Sequence, residues 1–205
     1  MKKKISIVTT LLLAAVIGTA QTAVEVKKEL DAANAALLKK DFKNADKSLT
    51  QAQMALAKFA GKEVAKILPL EINGLKADAD KDQIQMGSVI MAPGNTVQRT
   101  YTNAEGTKKI DIKIKPGSPD VNSVSMFVSN PQYLKSEGPI KEKLVSVNGR
   151  KAIVKINEDL KSAEVLLVSG STLYAVEAAG DSFKVEDMVA IASKIEVGRI
   201  ETIFK

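Results

Sequence analysis

Val26, Leu30, Ala33 and Leu37 recur at intervals of four, three and four residues, and Ala45, Leu49, Ala52, Leu56 and Phe59 continue that rhythm. Residues three and four apart share one face of a 3.6-residue helix, so the pattern predicts two amphipathic helices. Between them Lys39-Lys40-Asp41 is a short turn. Asp41 is suited to accept a hydrogen bond from the free N–H groups that open the second helix. So short a link folds the helices back antiparallel. Pro69 stops the second helix at about Leu68, because proline lacks the N–H that the helical ladder needs.

Beyond Pro69 the period changes from helical to two. Val97, Arg99 and Tyr101 alternate with Gln98, Thr100 and Thr102, and Ile110, Ile112 and Ile114 alternate with Lys109, Asp111, Lys113 and Lys115. In a strand, residues two apart share a face, so the isoleucines line a core and the charges meet water. Asn103 to Gly106 is the turn between these strands. Leu144 to Val147 and Ala152 to Ile156 flank Asn148-Gly149, a dipeptide suited to a tight hairpin. Glu164 to Val168 and Thr172 to Ala178 flank Ser169-Gly170-Ser171, and Gln83 to Met91 is read as a further strand.

Two segments break the alternation. Ser118-Pro119-Asp120 can open a helix carrying Val121, Val124 and Val128 on one face, ended by Asn130-Pro131. Val185, Met188, Val189 and Ala192 repeat at helical spacing, with Asp181-Ser182 as the expected cap. The expected fold is α+β: an N-terminal antiparallel helical hairpin, then an antiparallel β-sheet domain with helices packed on one face. The expected segments are a leader over residues 1–20, the hairpin over 21–68 and the α+β domain over 69–205.

The leader rests on charge and hydropathy. Lys2, Lys3 and Lys4 form a basic head, Ile5 to Gly18 carries no charge, and Gly18-Thr19-Ala20 supplies small residues before Gln21. This is the pattern of a secretory signal peptide. The uncharged run is shorter than the roughly 20 residues that span a bilayer. The expected location is therefore the periplasm, or the medium if the chain is secreted, with no integral membrane segment once the leader is cleaved. The chain contains no cysteine. Lipidation at the cleavage site, disulfides and thiolate metal sites are thereby excluded.

The formal charge of +6 includes the three leader lysines, and the remaining excess falls on the hairpin. That field is too weak to imply nucleic acid. At most it gives weak contact with anionic envelope surfaces.

Candidate chemistry is sparse. Histidine is absent, which removes the commonest general base and zinc ligand near neutral pH and every Ser–His–Asp or Cys–His constellation. Asp78, Asp80 and Asp82 form Asp-x-Asp-x-Asp, the opening of a calcium loop, but the required glycine and closing glutamate are replaced by Gln83 and Val89. They remain the candidate metal residues. The Met86–Asn95 loop lacks the spacing of a phosphate cradle, so no cofactor is expected. Arg99 and Tyr101 on one strand face, with Lys39, Lys40 and Phe42 at the hairpin turn, are the candidate ligand or partner surface.

Ala36 to Ala45 resembles a single tetratricopeptide turn, and one such turn does not make an array. The hairpin ending in Ile67-Leu68-Pro69, the segment Met86-Gly87-Ser88 through Pro93-Gly94-Asn95 into Gln98-Arg99-Thr100-Tyr101, Phe127-Val128-Ser129-Asn130-Pro131, and Val147-Asn148-Gly149-Arg150-Lys151-Ala152 together resemble an uncharacterised family of exported bacterial proteins. That resemblance carries no activity. More distantly, the domain looks like the α+β fold of the extrinsic oxygen-evolving proteins of photosystems, which implies architecture only.

The functional expectation is a non-enzymatic binding or interaction module with a protein partner or self-association. A structural component of the cell envelope oligomerising through the hairpin is the alternative. A hydrolase that works without histidine is the third reading.

Overall fold

The computed structural model describes residues 23–87, 90–91 and 93–204. The expected leader lies outside the described residues. The chain divides into two compact units between Phe59 and Ala60.

In the first unit, α1 covers residues 23–38 and α2 begins at Phe42. Helix α2 runs without interruption to Ile67, 26 residues in all, so its last turns belong to the second unit rather than to the hairpin. The turn between α1 and α2 closes as the spacing predicts. Lys40 takes the left-handed conformation at φ 57°, while the Lys40 and Asp41 N–H groups donate to the Leu37 and Ala36 carbonyls. This pair of bonds satisfies carbonyls that the end of α1 would otherwise leave open. Asp41 then accepts from the Asn44 N–H at 3.2 Å and caps α2.

The second unit is a sheet of nine strands among the described residues, all paired antiparallel. They are β1 (Glu71–Ile72), β2 (Leu75–Ala77), β3 (Gln83–Gln85), β4 (Thr96–Thr102), β5 (Lys109–Pro116), β6 (Ile140–Val147), β7 (Arg150–Asn157), β8 (Ser162–Ser169) and β9 (Thr172–Ala179). Their order is β1-β2-β4-β5-β9-β8-β7-β6, and β3 shares the β4 edge with β2. Among the described residues no strand pairs the outer side of β6, where the Glu142 N–H donates to the Lys135 carbonyl at 2.6 Å. Among the described residues the expected strand over Gln83–Met91 is represented by the three residues of β3. The short β1–β2 hairpin turns on Asn73-Gly74, with φ of 49° and 79°, as the β6–β7 hairpin turns on Asn148-Gly149 at 49° and 78°. Positive φ at both central residues matches the twist of paired strands.

Three helices complete the unit: α3 (Asp120–Ser129), α4 (Val185–Ala192) and α5 (Val197–Phe204). Ser118 accepts from the Asp120 N–H at 3.3 Å, as its position predicts. The cap of α4 differs from expectation. Asp187 accepts from the Lys184 N–H at 3.0 Å, whereas Asp181 turns away to pair with Lys108.

One sheet face carries Ile110, Ile112, Ile114, Tyr174, Val176, Val154 and Val165, which join Val64, Leu68, Met188, Ile191 and Ile200 in the main core. The expected α+β class holds, but helices cover both faces. Val124 of α3 packs with Ile153, Leu166, Leu173 and Ala175 on the opposite side. Because strand side chains alternate, β7, β8 and β9 feed both cores at once. Gly61 of α2 explains itself by contact: a Cβ there would lie 2.6 Å from Ile84 Cγ2.

Candidate functional site

The two helices of the first unit carry the same ladder. Val26, Leu30, Ala33 and Leu37 on α1 match Ala45, Leu49, Ala52 and Leu56 on α2, position for position. Burial separates the ladder into two edges. Ala33, Ala45 and Ala52 are buried, whereas Leu30, Leu37 and Leu56 are each 47% exposed and Leu49 is 42% exposed. Small side chains let helix axes approach, so the alanine edge forms the seam and the leucines are displaced from it.

At 3.6 residues per turn the leucines lie roughly 40–60° round from Ala33 on α1 and from Ala52 on α2, in the same rotational sense. In an antiparallel pair that places both leucine edges on one side of the hairpin. Phe42, 69% exposed, extends the same edge. The candidate site is this uncharged apolar face: Leu30, Leu37, Phe42, Leu49 and Leu56. Lys39 and Lys40 are exposed at the adjacent turn, so they and Phe42 lie at the surface as the sequence suggests. The repeat of alanine and leucine spacing was visible in the sequence, but not which edge would stay in water.

Arg99 and Tyr101 require a correction. They are 3% and 0% exposed and form no surface. The Arg99 guanidinium donates to Asp82 through Nε at 2.8 Å and Nη2 at 2.5 Å, and through Nη1 to the Leu68 carbonyl at 2.5 Å. Tyr101 Oη donates to the Pro69 carbonyl at 2.8 Å. These bonds satisfy carbonyls of the chain just beyond α2. Burial opposes the Arg99 charge, but the Asp82 carboxylate more than compensates and holds its pKa above the ordinary value. Burial likewise pushes the Tyr101 hydroxyl up.

The three aspartates do not converge. Asp82 is committed to Arg99, Asp78 pairs with Lys81 at 2.8 Å, and Asp80 sits in the one-turn 3-10 helix Ala79–Lys81. Among the described residues no group of three or more acidic side chains is placed to hold a metal ion.

The face of the sheet bearing α3 also carries a charged row that the sequence does not reveal. Register aligns Thr100, Asp111, Glu177, Glu164, Lys155 and Glu142 across five neighbouring strand pairs. The row borders an open cavity of about 450 Å³, also lined by Lys109, Ile140 and Asn157. Its charges are largely engaged with one another. Lys109 meets Asp111 at 2.7 Å, Lys113 meets Glu177 at 2.6 Å, and Lys155 lies between Glu142 and Glu164 at 3.7 and 3.8 Å.

Burial raises the Asp111 pKa, but hydrogen bonds from Lys109, Thr100 and Gln98 overcome it and hold the group below the usual carboxylate range. Glu164 goes the other way. Burial pushes its carboxyl up; Lys155 opposes the shift, and Glu177 directly across the strand pair adds to it.

No protein-family model matches the chain, and neither curated proteins nor solved structures give a significant match. Fold and surface together define an α+β protein with a helical hairpin that presents an apolar face. Among the described residues no helix is long and apolar enough to cross a membrane.

Proposed function

We propose that the chain is an exported, non-enzymatic interaction protein, working in the periplasm or outside the cell, whose hairpin binds a protein partner. The observation that carries this reading is the leucine face. Five large apolar side chains, 42–69% exposed, lie together on two helices whose alanines are buried. Leaving them in water is costly, and contiguous exposed apolar surface of this kind marks interaction sites.

The chemistry available elsewhere supports the same reading. The chain has no histidine or cysteine to act as base or nucleophile. Arg99, Tyr101 and Asp82 are occupied with one another and with the chain just beyond α2. Export is supported by the basic head and uncharged run of the first twenty residues.

Two measurements test the reading. Mass spectrometry of the protein from its native host should give an N-terminus near Gln21 in an envelope or medium fraction; intact Met1 in the cytosol overturns export. A panel of hydrolase substrates should give no turnover. Turnover abolished by a single substitution in the sheet unit would replace binding with catalysis.

A further inference from the structure

We infer that the partner of the leucine face is a second copy of this chain, joined as an antiparallel four-helix bundle. The inference rests on the interaction reading above and names its occupant. The face matches itself. Leu30 and Leu37 on α1, and Leu49 and Leu56 on α2, are each seven residues apart. A seven-residue interval is the repeat with which helices pack knobs into holes in bundles.

The hairpin turn is centred on Lys40. A residue of α1 is therefore level with the residue of α2 equally far from position 40. A two-fold axis parallel to the helices lays α1 of one copy antiparallel on α2 of the other without shifting those levels. Leu30 then meets Leu49 of the second copy, and Leu37 meets Phe42 of the second copy, within one residue. The symmetry repeats both contacts. No charged residue belongs to the face, so nothing in it repels an identical surface.

The exposed area is also sufficient. Five large side chains about half exposed offer on the order of 400 Å² of apolar surface per copy. Homodimer interfaces are roughly 65% apolar, which implies about 600 Å² buried on each side. That meets the lower bound of roughly 1,200 Å² in total for a specific, stable interface. The dimer should therefore form with a Kd on the order of micromolar rather than nanomolar.

The test is the solution mass of the full chain by light scattering over a hundredfold range of concentration. The expected mass rises from that of one chain to that of two. Leu30→Glu or Leu49→Glu should each return it to one chain with unchanged far-ultraviolet circular dichroism, and Leu160→Glu, on an exposed turn of the sheet unit, should leave the dimer intact. Because the chain has no cysteine, a second measurement is clean. Leu30→Cys mixed with Leu49→Cys should cross-link on oxidation, and neither variant should do so alone.

A monomer at every concentration overturns the inference, as does a dimer that survives both glutamates or cross-links only between like variants. A monomer whose leucine face captures a different protein also overturns it, yet leaves the interaction reading standing.

Discussion

Replacing Arg99 by methionine keeps the length of the side chain and removes its charge, and the cost can be worked from its surroundings. The Arg99 and Asp82 side chains are 4% and 9% exposed, and two hydrogen bonds join them. Without the guanidinium, Asp82 keeps a buried carboxylate with no counter-charge, and the Leu68 carbonyl loses a donor at 2.5 Å. Breaking a buried pair from one side costs about 3–5 kcal/mol. That is a large share of the roughly 5–15 kcal/mol that holds a domain of this size folded.

Removing both charges, as Arg99→Met with Asp82→Leu, eliminates the stranded carboxylate. It should restore most of the loss, leaving about 1–3 kcal/mol for the unsatisfied carbonyl. Urea unfolding followed by circular dichroism measures Arg99→Met, Asp82→Leu alone and the double variant, since the chain has no tryptophan to report by fluorescence. The reasoning fails if Arg99→Met costs less than about 1 kcal/mol, or if the double variant is as unstable as the sum of the singles.

Tyr174 Oη is buried and, among the described residues, has no hydrogen-bond partner. Tyr174→Phe should therefore raise the unfolding free energy by roughly 1 kcal/mol or more, and a loss would show that the hydroxyl is satisfied. Asp111 and Glu164 make opposite predictions about pH. The Asp111 pKa is lowered on folding, so its contribution is present above the ordinary carboxylate range and lost as acid protonates it below about pH 4. Asp111→Asn should flatten that acid limb of a stability–pH curve. The Glu164 pKa is raised on folding, so the native state holds its proton more tightly and stability declines as pH rises through and above the ordinary range. Glu164→Gln should leave the protein at least as stable at pH 7 as the parent, and a clear loss there would mean that its contact with Lys155 dominates.

The sequence carried the periodic parts of this fold and concealed the parts decided by partners. The helical rhythm through Leu56, the alternation at Ile110, Ile112 and Ile114, and the Asn148-Gly149 turn are local signals, and each element lies where its signal points. The β1–β2 hairpin turns on the same dipeptide at Asn73-Gly74, but its strands are too short to show alternation. Helix α5 opens with Val197-Gly198, residues of low helix propensity, and is held by burial of Val197 and Ile200.

Arg99 stands between Val97 and Tyr101 on an inward strand face. That position was itself a sign of a buried ion pair, although only the fold could supply Asp82. Within the hairpin, helix periodicity placed alanine and leucine in one stripe. Which edge packs is decided by how closely two backbones can approach, and that is a property of the pair.

Strand β6 has consequences for storage and crowding. It lines the rim of the sheet, so among the described residues one row of its amides and carbonyls lacks a neighbouring strand. Lys141 and Lys143 are exposed on one face of this rim strand, with Lys141 paired to Glu158 at 2.8 Å. An incoming strand would have to lie beside these charges, which is how natural sheets discourage fibre growth. Replacing Lys141 and Lys143 by glutamine would remove the guard without touching the hairpin. A preparation that clouds or binds amyloid dyes after such replacement would be failing along this rim, by a route separate from helical pairing.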